Sequence, residues 1–189
     1  MSVTVIALGV LVVLVAGFLY GYNRLVKLRN RAQAAWHDID VYLRRRHDLI
    51  PNLVETVRAY AEHERGVLDQ VTALRTRAVD TERRGRPDEI ASTETQLEQA
   101  VERLFAVAEA YPDLKADARF RDLQDELAAT ENKIAFSRQL YNDTVTAYRN
   151  ATESLPLRLV AKPLRFEAPA LFAAEGDERG AVGIDFDRS

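Results

Sequence analysis

The chain has no cysteine, one methionine and one tryptophan in 189 residues. Without thiols, disulfides, cysteine-ligated zinc and thiol nucleophiles are excluded. Glycine is sparse, and nowhere forms a phosphate-cradling loop or a dinucleotide fingerprint. The serines are scattered, none in a G-x-S-x-G turn. Histidine occurs three times, at His37, His47 and His63. A di-iron bundle needs Glu-x-x-His twice, but Ala34, Arg44 and Tyr60 stand three residues before these histidines. His37 and Asp40 share a helix face as a lone pair, which reads as solvated or structural. The net charge of −3 is too mild to imply nucleic acid as a partner. No cofactor, no metal and no catalytic site are expected, and the chain does not read as an enzyme.

An uninterrupted apolar run is present. Val3 to Tyr20 carries no charge, and extension to Tyr22 gives about 20 residues, enough to cross a hydrocarbon core of about 30 Å. Tyr20 and Tyr22 sit where an aromatic belt would lie. No basic residue precedes the run and no small-residue cleavage site follows it, so it reads as an anchor and not a cleaved signal. Arg24, Lys27, Arg29 and Arg31 follow at once as a membrane-proximal basic flank. By the positive-inside rule this places the following domain in the cytoplasm, on a single-pass protein of the cell membrane. Basic residues this close to a span can also meet anionic lipid.

Beyond the anchor the periodicity is helical. Trp36, Ile39, Leu43, Ile50, Leu53, Val57, Ala61, Leu68, Val71, Leu74 and Ala78 recur at threes and fours, predicting an amphipathic stretch up to Arg83. Pro51 falls inside it. A continuous helix kinked there is favoured over a break, because the apolar phase passes Pro51 without a slip. Gly85 and Pro87 end the stretch. A second helix is expected from about Asp88 to Ala110, and a third from about Leu114 to Ser154 on Phe120, Leu123, Leu127, Ile134, Tyr141, Val145 and Tyr148. Short connections between them predict an all-α, antiparallel up-and-down bundle of three to four long helices. The expected organisation is an anchor at 1–22, a bundle at 23–154 and an extended C-terminal segment at 155–189 packed on the bundle. Val182 to Phe186 is the only strand-like patch.

Residues 22–47 hold seven basic residues against Asp38 and Asp40, so basic charge gathers near the anchor. Arg46 lies on the apolar phase between Leu43 and Ile50, which suggests a buried polar layer. Two blocks are more polar than packing requires. One contains Arg44, Arg45 and His47, the other Asn132, Arg138 and Asn142. These six residues are candidates for a partner-docking face, since the planar fork of arginine pairs well with carboxylates. Intramolecular pairing between the two blocks is the alternative.

Three segments, Trp36 to Val57, Ala110 to Ala116 and Thr130 to Asp143, resemble the signature of the LemA family. One departure is Tyr42, where a polar residue such as Gln is expected. The resemblance implies a bacterial single-span membrane protein with a helical bundle. It carries no reaction and no catalytic residues; some relatives are associated with membrane protein quality control or membrane-compartment formation. The expected role is a membrane-anchored scaffold or adaptor, whose partners are the lipid bilayer and other membrane proteins or further copies of itself. The alternative is a membrane-tethered small-ligand sensor, with a cavity lined by Arg46, Thr130 and Ser137.

Overall fold

The computed structural model describes residues 2–173. Among these it is all-helical: α1 (Ser2–Arg58), α2 (Arg65–Arg84), α3 (Pro87–Ala108), a short α4 (Pro112–Ala116), α5 (Ala118–Glu153) and a single turn, α6 (Arg158–Ala161). The strand-like patch at Val182 to Phe186 lies outside the described residues. The described residues divide into two compact units: 2–39 with Ser137–Pro169, and Asp40–Phe136 with 170–173.

The unbroken amphipathic stretch expected up to Arg83 is corrected. It ends at Arg58 and resumes at Arg65. Tyr60 and Ala61 both donate their N–H to the Val57 carbonyl, at 3.1 and 2.9 Å, which closes the last turn of α1. Ala61 is nevertheless buried, so the apolar rhythm survives a loop that no glycine or proline announces. Pro51 interrupts nothing. It lies exposed within α1, and its missing N–H leaves the His47 carbonyl without its usual helical donor. The Arg75 Nε–H from α2 takes that place, 3.1 Å from the His47 oxygen.

Gly85 ends α2 because nothing larger fits. A Cβ there would lie 2.7 Å from the Thr81 carbonyl oxygen. Pro87 then opens α3 at its first turn, with Asp88 and Glu89 beside the positive helix end. Glu89 also accepts the Arg86 backbone N–H at 3.2 Å. The helix expected from Leu114 begins instead at Ala118. Asp117 caps it by accepting the N–H groups of Arg119 and Phe120 at 2.7 and 3.2 Å. The Tyr60 hydroxyl donates to the same carboxylate, which the hydrogen bonds hold below the usual range.

In the second unit one core draws on five helices. Leu49 to Val57 of α1 meets Leu68 and Val71 of α2, Leu97, Val101 and Leu104 of α3, Leu114 of α4, and Phe120, Leu123 and Leu127 of α5. Of the stripe residues, Leu43, Leu53, Leu127 and Ile134 are buried. Trp36 is half-buried and packs edge-on against Tyr141, in the first unit. There a smaller cluster joins Leu25, Tyr148, Val160 and Ala161. The apolar N-terminal part of α1 is long and hydrophobic enough to cross a membrane, and none of it is buried in protein. The segment after α5 is not purely extended, since α6 interrupts it.

Candidate functional site

The apolar phase of α1 carries Arg46 into the interior, where it is 2% exposed. A buried guanidinium costs several kcal/mol unless charges and hydrogen bonds compensate it. Two distant helices supply them. Glu94 of α3, itself 3% exposed, accepts from Nη2 at 2.6 Å. Glu131 of α5 accepts from Nη1 through both its oxygens, at 2.9 and 2.8 Å. Burial pulls the Arg46 pKa down, but Glu94 and Glu131 outweigh it and hold the group above its ordinary value.

His47 extends the network. Its Nε2 lies 2.8 Å from Glu94 Oε1, and its Nδ1 lies 3.4 Å from Glu82 Oε2 of α2. Arg44 donates from Nε to Glu82 at 2.9 Å and from Nη2 to Asp40 at 2.6 Å. Arg45 points elsewhere and pairs with Glu126 of α5, both side chains being well exposed. Thr130, also buried, donates to the Glu126 carbonyl at 2.8 Å. Arg44, Arg46 and His47 thus link α1 to α2, α3 and α5.

Two guanidinium groups and one imidazole face four carboxyl groups: Asp40, Glu82, Glu94 and Glu131. Burial raises the Glu131 carboxyl above its ordinary value, and Arg46 only partly offsets this. Burial, with Asp40 alongside, raises Glu82 against the opposing pull of Arg44.

Arg44 and His47 meet on Glu82, while Arg45 is on the outer surface. Asn132 is exposed beside Glu131, and Arg138 and Asn142 are half-buried farther along α5. The basic flank Arg24, Lys27, Arg29 and Arg31 is exposed on α1, with Arg29 5.5 Å from the Phe166 ring centre. Sequence reasoning missed Glu82 and Glu94. Both carried the signal that marked Arg46: Glu94 follows Ile90 by four and precedes Leu97 by three, and Glu82 follows Ala78 by four. Among the described residues no cluster of His, Asp and Glu is arranged to hold a metal ion.

The family model described as "LemA family" matches residues 35–186. The chain belongs to the LemA family. The matched region contains the whole ion-pair network. Similar proteins include "Magnetosome protein MamQ 2" of Paramagnetospirillum magneticum, 24% identical over 85% of this chain and 67% of its own length. "Protein LemA" of Metamycoplasma hominis is 25% identical over 88% of this chain and 74% of its own. "Magnetosome protein MamQ" of Magnetospirillum gryphiswaldense is 23% identical over 86% and 68%. With its exposed apolar helix, this LemA-family chain is a membrane-associated, single-pass protein.

Two outcomes follow from the network. Arg46→Met strands two carboxylates and should cost about 3–5 kcal/mol in chemical denaturation, while adding Glu94→Leu should recover much of the loss. A single-variant cost below about 1 kcal/mol would remove Arg46 from its central place. The second outcome concerns pH. A carboxyl that binds its proton more tightly when folded stabilises most below its unfolded pKa, and that contribution is lost as pH rises through its folded pKa. Glu82 and Glu131 should therefore make the melting temperature fall between mildly acidic and neutral pH. Glu131→Gln, which keeps an acceptor for Arg46, should flatten that slope in circular-dichroism melts; an unchanged slope contradicts the assignment.

Proposed function

We propose that the chain is a membrane-anchored helical scaffold or adaptor with no catalytic chemistry of its own. Its helices are read as an antiparallel up-and-down bundle. The observation that carries this reading is the engagement of the interior ionisable groups with one another. A catalytic acid, base or electrophile must reach a substrate. Arg46 and Glu94 are almost wholly buried and face each other at 2.6 Å. Their geometry serves helix register. The sensor reading finds no comparable support, since the space around the Arg46 guanidinium is taken by Glu94 and Glu131.

Function then falls to the outer surface and the anchor. Of the docking candidates, Arg45 and Asn132 project outward, and Phe136, one turn beyond Asn132, is 69% exposed. These residues of α1 and α5 are proposed as the contact with other membrane proteins or further copies of the chain. Arg138 and Asn142 are proposed for the same role on the remainder of α5. Arg44 and His47 would support the face from behind, through Glu82. The basic flank after Tyr22 favours a cytoplasmic domain.

Charge reversal at Arg45 tests the docking face. The exposed pair with Glu126 is worth at most about 1 kcal/mol, so Arg45→Glu should leave the melting temperature nearly unchanged. Crosslinks to partners in the membrane, read by mass spectrometry, should be lost. Survival of every crosslink would reject this face. For orientation, a reporter active only in the cytoplasm, fused after Ser189, should be active; activity of a periplasm-specific reporter in its place would reverse the topology.

A further inference from the structure

The segment that follows α5 has a polarity that packing within its own unit does not explain. Its inner face is settled. Val160 and Ala161 are buried with Leu25 and Tyr148. Gly21 makes room for Leu157 and Val160, since a Cβ there would lie 3.3 Å from each of their side chains. The chain then turns sharply. Arg165 takes a left-handed conformation, φ 53°, and the Phe166 N–H reaches back to the Ala161 carbonyl at 3.1 Å. This is a Schellman closure built without glycine. It sets Phe166 edge-on against Tyr22, with ring centres 5.9 Å apart.

The outer face is the unexplained part. Leu155 is 73% exposed, Leu159 71% and Leu164 45%. Between them Arg158, Lys162 and Arg165 are also exposed, and no acidic residue occurs from Leu155 to Phe166. Apolar and basic side chains alternating on a short exposed turn would be poorly placed in water. They suit the boundary between lipid headgroups and acyl chains.

Position along α1 supports the same answer. Gly21, where the turn docks, lies at the end of the apolar run. Leu155, Leu157 and Leu159 line one open groove with Val13, Leu14 and Phe18, residues well inside that run. Gly21 lies four positions beyond Gly17, about 6 Å along the helix. A turn fixed at Gly21 thus sits where the hydrocarbon ends. Arg24 and Lys27 continue the basic character on the adjoining part of α1.

We propose that Leu155–Phe166 is a second membrane contact, an interfacial element that beds in an anionic phospholipid surface. Leu155, Leu159 and Leu164 enter the acyl boundary. Arg158, Lys162 and Arg165 meet lipid phosphates, a charge complementarity that acts only close to such a surface. The element fixes the rotation and depth of α1 in the bilayer. This rests on α1 being the membrane span.

The absence of cysteine provides the test. Full-length Leu159→Cys carries an environment-sensitive fluorophore and is reconstituted in phosphatidylcholine vesicles, with and without phosphatidylglycerol. Leu11→Cys, within the span, and the outward Asn132→Cys serve as references. Lipids spin-labelled at a shallow acyl position should quench the Leu159 label at least about twofold, and more strongly when phosphatidylglycerol is present. The Leu11 label should be quenched best by a deep spin label, and the Asn132 label by neither. Quenching at Leu11 with none at Leu159 overturns the interfacial element and leaves the span intact. Loss of quenching at both overturns the span and the element together. A blue-shifted but unquenched Leu159 label means that protein covers the turn, and also overturns the proposal.

Discussion

A guanidinium removed from water must find anionic partners in fixed positions, and Arg46 finds them on two helices far away in sequence. Glu94 and Glu131 hold it at 2.6–2.9 Å. Apolar packing supplies most of the energy of a helical core, but tolerates shifts and exchanges of similar volume. An ion pair inside the core does not. A slip of one residue along α3 or α5 would move its carboxylate by about 1.5 Å and turn it by about 100°. Either displacement leaves a buried charge without its partner. The network therefore contributes more to register than to net stability, since buried ion pairs are often no more stabilising than well-packed apolar groups.

The same logic explains how α1 tolerates Pro51. The proline withdraws a donor from the His47 carbonyl, and His47 is already part of the network through its ring. Arg75 restores the donor from α2. One residue is thus held at its backbone by α2 and at its side chain by Glu94 of α3. A position that would weaken an isolated helix becomes a point where neighbouring helices attach.

Much of this was legible in the sequence, through one rule applied unevenly. Helices, breakers and most core positions follow from spacing at threes and fours. The rule also marks charged residues that fall in phase with a stripe: Arg46 and His47 after Leu43, Arg75 between Val71 and Ala78, Glu82 after Ala78, Glu94 between Ile90 and Leu97, and Glu131 between Leu127 and Ile134. The phase that marks Arg46 marks Glu82 and Glu94 equally. Spacing could not place the break after Arg58. Ala61 and Leu68 keep the phase across it because the loop returns Ala61 to the core, so periodicity alone hides the turn. The docking candidates stand out by surplus polarity, and the structure uses part of that polarity internally, on Glu82, Glu94 and Glu126.

The two units obtain specificity from different interactions, and the difference follows from their solvents. In the second unit water drives burial and the charged network selects among packed arrangements. In the first unit α1 continues into an apolar run meant for lipid, where the hydrophobic effect gives helices no reason to associate. Close approach at small residues is the alternative source of attraction. Gly21 provides it, since a Cβ there would lie only 3.3 Å from the Leu157 and Val160 side chains. The edge contacts of Tyr22 with Phe166 and of Trp36 with Tyr141 add direction, since aromatic rings favour that geometry by about 0.5–1.5 kcal/mol. A Cβ at Gly21 would press on Leu157 and Val160, whereas one at Gly17 would meet no protein atom within 4 Å. Glycines of similar appearance in one apolar run therefore have different physical standing, and only the structure separates them.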